Sequence, residues 1–130
     1  MFVPIMIGEL QYRIRFPTRV QIDIEKNAGE FLFGNKDLKV TVFDLLTHIG
    51  STFVQSYLLW KGLTWEHPEM TFEEACALRD AYISAGELDS GEKLTKLTEA
   101  LSEAILISYG IDPKKMKESR TKTGNRGTGQ

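Results

Sequence analysis

One stretch near the start of the chain decides the fold class, and it runs Phe2-Val3-Pro4-Ile5-Met6-Ile7-Gly8-Glu9-Leu10-Gln11-Tyr12-Arg13-Ile14-Arg15-Phe16. Its second half alternates apolar and polar side chains with a period of two, which is typical of a strand with one buried face. Its first half is apolar up to Ile7, and Gly8-Glu9 separates the two halves. Glycine at the first position of a two-residue loop suits a type II′ turn. The stretch therefore predicts an N-terminal β-hairpin.

The next segment, residues 17–29, fits two structures. Val20, Ile22 and Ile24 alternate with polar residues, which favours a strand. Pro17 instead suits the first turn of a helix, and Gly29 suits its C-terminal stop. The periodicity alone leans towards a third β-strand, with a helix as the alternative.

The remainder, as far as Tyr109, predicts helices with capping residues at their starts. The fold class is therefore α+β and mainly α, with a hairpin followed by about four to five helices. The expected helices are 42–49 after Thr41, with Asp44 completing a capping-box variant; 52–61 after Ser51, stopped by Gly62; 72–84 after Thr71 with Glu74, stopped by Gly86; and 90–109 capped by Ser90 and closed by Gly110 and Pro113.

The last of these helices carries a regular apolar face. Its apolar side chains recur every three or four residues, which places them on one side of a helix. We expect that side to be core, with Leu101 at its centre. The face consists of Leu94, Leu97, Leu101, Ala104 and Ile105.

Charge and composition divide the chain of 130 residues into two parts. Residues 1–111 hold 10 Lys and Arg against 16 Asp and Glu, a net charge of −6, whereas residues 112–130 hold 6 against 2, a net charge of +4. After Ile111, Met116 is the only apolar side chain in a stretch of Lys, Thr and Gly. Such a composition buries too little apolar area to offset its ordering entropy. We expect one folded domain, 1–111, and a flexible basic tail, 112–130, that is dispensable for folding.

Several function classes lack their usual sequence signals. His48, His67 and Cys76 are candidate metal ligands, but their spacing matches no common metal motif. There is no nucleophile motif, no phosphate-binding loop and no dinucleotide fingerprint. A single cysteine excludes an intrachain disulfide and suits a reducing cytosol. We therefore expect no enzyme activity, no metal site and no cofactor.

Membranes and nucleic acids are also poor candidates as partners. The apolar run 2–7 follows no basic segment and is too short for a signal peptide or a membrane span. An acidic body disfavours binding to phosphates. The basic tail has no aromatic side chain on which a base could stack, which favours a solvated tail over nucleic-acid binding through it. Its cations are Lys114, Lys115, Lys117, Arg120, Lys122 and Arg126.

Aromatic residues concentrate in the middle of the chain. Phe53, Tyr57 and Trp60 are spaced i, i+4 and i+7 and therefore share one helix face, and Trp65 follows in the next loop. Core packing is one interpretation, and an anchor for a partner protein is the other, because Tyr and Trp dominate many interfaces. The candidate partner-binding residues are Tyr57, Trp60 and Trp65.

Three stretches carry a resemblance to a known family. They are Gln11-Tyr12-Arg13-Ile14-Arg15-Phe16, Ile24-Glu25-Lys26-Asn27-Ala28-Gly29, and Leu58-Leu59-Trp60-Lys61-Gly62-Leu63 with Glu66-His67-Pro68-Glu69-Met70-Thr71-Phe72-Glu73-Glu74. In this order they resemble the strand, the helix end and the helix–loop–capped helix of tail assembly chaperones from long-tailed bacteriophages and prophages, particularly those of Gram-positive hosts. The likeness covers about residues 8–110 and implies a helix at 17–28.

The resemblance also implies a function. Such proteins hold the tape-measure protein soluble in the host cytoplasm while tail-tube subunits polymerise around it, and they are absent from the mature virion. A longer form, made by a programmed frameshift that we would place at the codons for Pro113-Lys114-Lys115, recruits the tail-tube protein. The oligomeric state is open and a homo-oligomer is compatible. The alternatives are a small adaptor or antitoxin-like domain and, third, a nucleic-acid accessory protein.

Overall fold

The structure is a computed structural model that describes residues 1–85 and 89–114. In these residues an antiparallel two-stranded hairpin is followed by five helices, which confirms the predicted α+β, mainly α fold class. The predicted stop at Gly86 and the predicted tail beyond Lys114 lie outside the described residues. The elements are β1 (Val3–Ile7), β2 (Leu10–Ile14), α1 (Thr18–Phe33), α2 (Val42–Leu46), α3 (Thr52–Leu63), α4 (Phe72–Ser84) and α5 (Ser90–Ser108).

The hairpin forms as its alternation predicts. Val3 pairs with Ile14 and Ile7 pairs with Leu10, so that a two-residue loop joins the strands. Gly8 has a φ of 64°, and the described non-glycine residues all have negative φ. A positive φ at the first loop position alone is the pattern of the predicted type II′ turn. One face of the hairpin, including Ile5, is buried against the helices.

Residues 18–33 form a helix, so the third β-strand that the periodicity favoured is wrong. Val20, Ile24 and Ala28 are buried and lie four residues apart, which gives α1 one continuous apolar stripe. Ile22, which completed the strand-like alternation, is 46% exposed on another side of the helix. Of the three alternating residues, Val20 and Ile24 therefore belong to the buried stripe of a helix, and Ile22 lies outside it.

Gly29 lies inside α1 and does not stop it as predicted. A Cβ atom at this position would lie 2.0 Å from the carbonyl oxygen of Leu38, because the loop after α1 folds back across the helix. The helix continues to Phe33 and ends at Gly34, whose φ of 66° suits a left-handed C-cap. Gly29 thus permits close backbone contact, and Gly34 provides the stop.

Gly62 likewise lies inside α3 instead of ending it. A Cβ atom there would be 2.8 Å from Cγ2 of Ile14 and 3.0 Å from Cζ of Phe16. The Arg15 amide donates a hydrogen bond to the Gly62 carbonyl oxygen at 2.9 Å. The missing side chain therefore lets the end of the hairpin pack directly on the backbone of α3.

The helix starts match the predicted caps at three of four positions. Thr41 with Asp44 and Thr71 with Glu74 form capping boxes, and the Ser51 hydroxyl accepts a hydrogen bond from the Val54 amide. The fourth cap is Asp89, not Ser90, since its carboxylate accepts the Glu92 amide at 2.9 Å. Helix α2 ends at Leu46 and is followed by turns, so it is shorter than the predicted 42–49.

The predicted face of α5 forms part of the core. Leu97, Leu101, Ala104 and Ile105 are buried, and Leu94 is half-buried. The four buried residues share one core with β1, β2 and the buried side of α3. A part-buried polar bridge joins three helices at the side of this core, because Gln55 on α3 donates to the Thr98 hydroxyl on α5 at 2.9 Å and accepts from Nε of Arg79 on α4 at 2.8 Å.

Candidate functional site

Tyr57, the first predicted partner-binding residue, lies in the core. Its side chain has no exposed surface, so it cannot contact a partner directly in this conformation. Its hydroxyl is buried and finds no hydrogen-bond partner among the described residues. Burial, followed by the negative charge of Asp23, raises the pKa of this hydroxyl well above its ordinary value. The core interpretation therefore applies to Tyr57.

Trp60 is half-buried and held in place from both sides. Its indole N–H donates a hydrogen bond to the Met70 carbonyl oxygen at 2.7 Å. The ammonium of Lys61 lies 3.9 Å from the centre of the Trp60 ring and forms a 2.7 Å ion pair with Asp23. These contacts give Trp60 a fixed orientation with part of its surface still accessible.

Trp65 belongs to a different part of the surface. Its indole N–H donates to the Arg13 carbonyl oxygen at 3.0 Å, which ties the loop after α3 to β2. The Phe2 ring stacks on it with 6.4 Å between ring centres, and the Arg15 guanidinium lies 5.3 Å from the ring centre. The structure therefore brings Tyr57 and Trp60 together, with 5.8 Å between their rings, and places Trp65 against the hairpin.

The aromatic cluster around Trp60 includes two residues that the sequence pattern did not predict as site residues. Phe31 at the end of α1 and Phe72 at the start of α4 join Phe53 and Trp60 of α3. We name Phe31, Phe53, Trp60 and Phe72 the aromatic patch. Ring centres lie 5.7 Å apart for Phe31–Phe53, 5.5 Å for Phe31–Trp60, 5.1 Å for Phe31–Phe72, 5.8 Å for Phe53–Phe72 and 5.8 Å for Trp60–Phe72.

Much of the aromatic patch faces solvent. Phe31 is 41% exposed and Phe53 is 44% exposed, while Trp60 and Phe72 are half-buried. Tyr57 supports the patch from below, with its ring centre 5.2 Å from that of Phe31. Partly exposed aromatic rings that are already packed against one another lose little side-chain conformational entropy on binding. They are therefore suited to bind an apolar partner surface. The candidate site is therefore an interaction surface on α1, α3 and α4.

Phe31 is not predictable as a site residue when Gly29 is taken as the end of α1. With that end, Phe31 falls in a loop and has no defined face. A helix that continues to Gly34 places Phe31 three residues after the buried Ala28, at the edge of the apolar stripe. Phe72 directly follows the predicted cap Thr71, and the three-dimensional packing alone brings it next to Phe53.

The chemistry available at the patch is contact between apolar surfaces. Across residues 1–85 and 89–114, no three His, Cys, Asp or Glu side chains lie close enough to hold a metal ion. His48 contacts the Phe33 ring, His67 contacts the Tyr12 ring, and Cys76 is half-buried on α4. The three residues weighed as metal ligands are thus separate in the fold.

No protein-family model, curated protein or solved structure matches this chain. The resemblance to tail assembly chaperones therefore stays a prediction. In the part of the chain that the structure describes, no helix has both the length and the apolar character needed to cross a membrane.

Replacing Tyr57 with phenylalanine should raise the free energy of unfolding by about 1 kcal/mol, because a buried hydroxyl without a partner is costly. The ring and its contacts with Phe31 and Trp60 are kept. Urea unfolding at pH 7 measures the difference. A clear loss of stability in the variant would mean that the hydroxyl has a partner, such as a bound water.

The same pair of proteins should differ in alkali. Because the pKa of Tyr57 is raised in the folded state, the unfolded chain loses this proton first as the pH rises above about 10. The free energy of unfolding then falls by up to about 1.4 kcal/mol per pH unit more in the wild type than in the Tyr57→Phe variant. Tyr82, whose pKa is also raised by burial, is common to both proteins and cancels. The free energy of unfolding is measured by urea unfolding at several pH values between 9 and 11. An equally steep fall with pH in the two proteins would contradict a buried Tyr57 hydroxyl.

Proposed function

We propose that this protein is a tail assembly chaperone of a long-tailed bacteriophage or prophage, which binds the tape-measure protein and keeps it soluble during polymerisation of the tail tube. The observation that supports the proposal most is the aromatic patch. A small helical domain with rigid, exposed aromatic rings can cover apolar surface on a partner that would otherwise aggregate. The resemblance in residues 8–110 supplies the identity of the partner.

Charge supports the same mechanism. The net charge of −6 in residues 1–111 makes neighbouring copies repel one another, so that a partner coated with many copies stays dispersed. A tape-measure protein is long and helical, and repeated weak contacts along it add up through avidity. Modest affinity at each contact also allows each copy to leave as the tail tube advances.

Localisation and the second partner follow from this proposal. The protein acts in the host cytoplasm and is absent from the mature virion, because the tube replaces it. A longer frameshifted form, with its slip at the codons for Pro113-Lys114-Lys115, binds the tail-tube protein through the added segment. An independent check is to look for genes of a tail-tube protein and of a very long helical protein next to the gene of this chain; their absence would count against the proposal.

Co-expression with the tape-measure protein tests the patch. The wild type should keep the partner in the soluble fraction, and Phe53→Ser should lower that fraction several-fold, since it removes an exposed ring from the patch. Phe33→Ser is the matched control. Phe33 is 46% exposed and contacts His48 instead of the patch, so its variant should behave as the wild type.

Circular dichroism of both variants shows whether they are folded before the comparison is made. If folded Phe53→Ser solubilises the partner as well as the wild type does, the patch is not the binding surface. If the wild type itself has no effect, the chaperone proposal fails, and the adaptor alternative, with a different partner, becomes the better one.

A further inference from the structure

A second apolar surface lies between α2 and α5 and shares no residue with the aromatic patch. It is a groove of about 620 Å³, which is within the range of about 300–1,000 Å³ found for binding pockets. Phe43 is 41% exposed at its edge and packs edge-on against Tyr109 at 5.5 Å. The apolar lining consists of Phe43, Leu46, Ile49, Leu106 and Pro113.

The charged part of the groove has one sign. Glu99 and Glu103 of α5 line it, together with the neutral polar residues Thr47, Thr98 and Ser102. Both glutamates are exposed, and neither forms an ion pair with another described residue. The two carboxylates are four residues apart and so lie on one side of α5. An occupant of the groove therefore gains most binding free energy if it carries both apolar and cationic side chains.

Two occupants from the chain itself fit this chemistry poorly. A second copy would bring a body with a net charge of −6 against two carboxylates. The chain's own C-terminal residues 112–130 are basic, but apart from Pro113, which itself lines the groove, Met116 is their only apolar residue, too few to cover the four other apolar lining residues. An amphipathic helix with an apolar stripe flanked by Lys or Arg matches both the apolar lining of the groove and its charge.

We infer that the groove between α2 and α5 binds a basic amphipathic helix of a partner protein. Apolar side chains at i, i+3 or i+4, and i+7 of that helix enter between Leu46 and Leu106, and its cations pair with Glu99 and Glu103. The inference does not depend on the proposed chaperone function, because it concerns a different surface and is tested without any phage protein.

The test uses the full chain and a synthetic 18-residue helical peptide with leucine at i, i+3, i+4 and i+7 and lysine at the flanking positions. Fluorescence anisotropy measures its Kd. Reversal of both groove charges, Glu99→Lys with Glu103→Lys, should raise the Kd by about tenfold or more. The matched control, Glu25→Lys with Asp80→Lys, makes the same change in net charge at exposed positions outside the groove and should change the Kd by less than about threefold.

Three results would overturn the inference. Equal weakening by the two charge reversals would mean that the peptide responds to net charge alone. Peptide binding that becomes about tenfold tighter when Met116 is changed to glutamine in the full chain would identify the tail as the occupant. A dimer in sedimentation that the Glu99→Lys, Glu103→Lys variant dissociates would identify a second copy. Selective weakening by the groove reversal, in a monomer whose Met116→Gln variant binds normally, supports the inference.

Discussion

Replacing Leu101 with alanine should lower the free energy of unfolding by about 2–5 kcal/mol, which is a large part of the stability of a domain of this size. Leu101 is fully buried on α5 and belongs to the core that α5 shares with the hairpin and α3. The alanine variant loses the transfer free energy of the side chain and leaves a cavity that rigid neighbours fill only in part. Urea unfolding, with the slope m checked for constancy, measures the effect.

Leu10→Ala is the control for this experiment. Leu10 is 63% exposed at the hairpin loop, so its truncation should change the free energy of unfolding by about 0.5 kcal/mol or less. If the two leucine variants lose similar amounts, the apolar face of α5 is not part of the core, and the packing of the helices on the hairpin described above is incorrect.

Replacing Gly29 with alanine should cost about 3 kcal/mol or more, the opposite of the usual gain from alanine inside a helix. The new Cβ would lie 2.0 Å from the Leu38 carbonyl oxygen and 2.9 Å from that of Asn35. Both atoms are backbone, so no side-chain rotation relieves the clash. The loop from 35 to 38 must move away from α1 or α1 must unwind. Thermal and urea unfolding both report the loss.

Gly50 provides the matched glycine. A Cβ atom there meets nothing within 4 Å, and its φ is not positive, so Gly50→Ala should be nearly neutral. A Gly29→Ala variant as stable as Gly50→Ala would show that the loop after α1 does not cross this helix, and that Gly29 acts as the stop which its sequence context suggested.

The parts of the fold that were predictable depend on local signals. The hairpin, the Thr71 capping box and the buried side of α5 each follow from residues close together in the chain. Gly29 and Gly62 were predicted to end helices but lie inside them, and the error has a physical reason. A glycine that ends a helix and one that admits another backbone look alike in sequence, and the Leu38 carbonyl and the Ile14 side chain that distinguish them come from elsewhere in the chain.

The candidate site was predictable only in part. Spacing along α3 correctly grouped Phe53, Tyr57 and Trp60, but it could not say that Tyr57 faces inward. Phe31 reaches the patch from another helix, so its place depends on how α1 packs on α3. Trp65 differs in that its indole hydrogen bond to Arg13 fixes it on the hairpin, a contact between residues far apart in sequence.

The hydrogen bonds made by the Trp65 indole and the Arg15 amide affect how copies of the protein associate at high concentration. Two backbone groups at the outer edge of the hairpin are already used, since the Arg13 carbonyl of β2 accepts from Trp65 and the Arg15 amide, directly after β2, donates to Gly62. On the opposite strand, Pro4 has no amide proton to offer. Each group removed from the edge in this way lowers the tendency to the strand-to-strand association that open edges invite. Copies packed side by side at high local concentration are thereby less prone to pair through their hairpins.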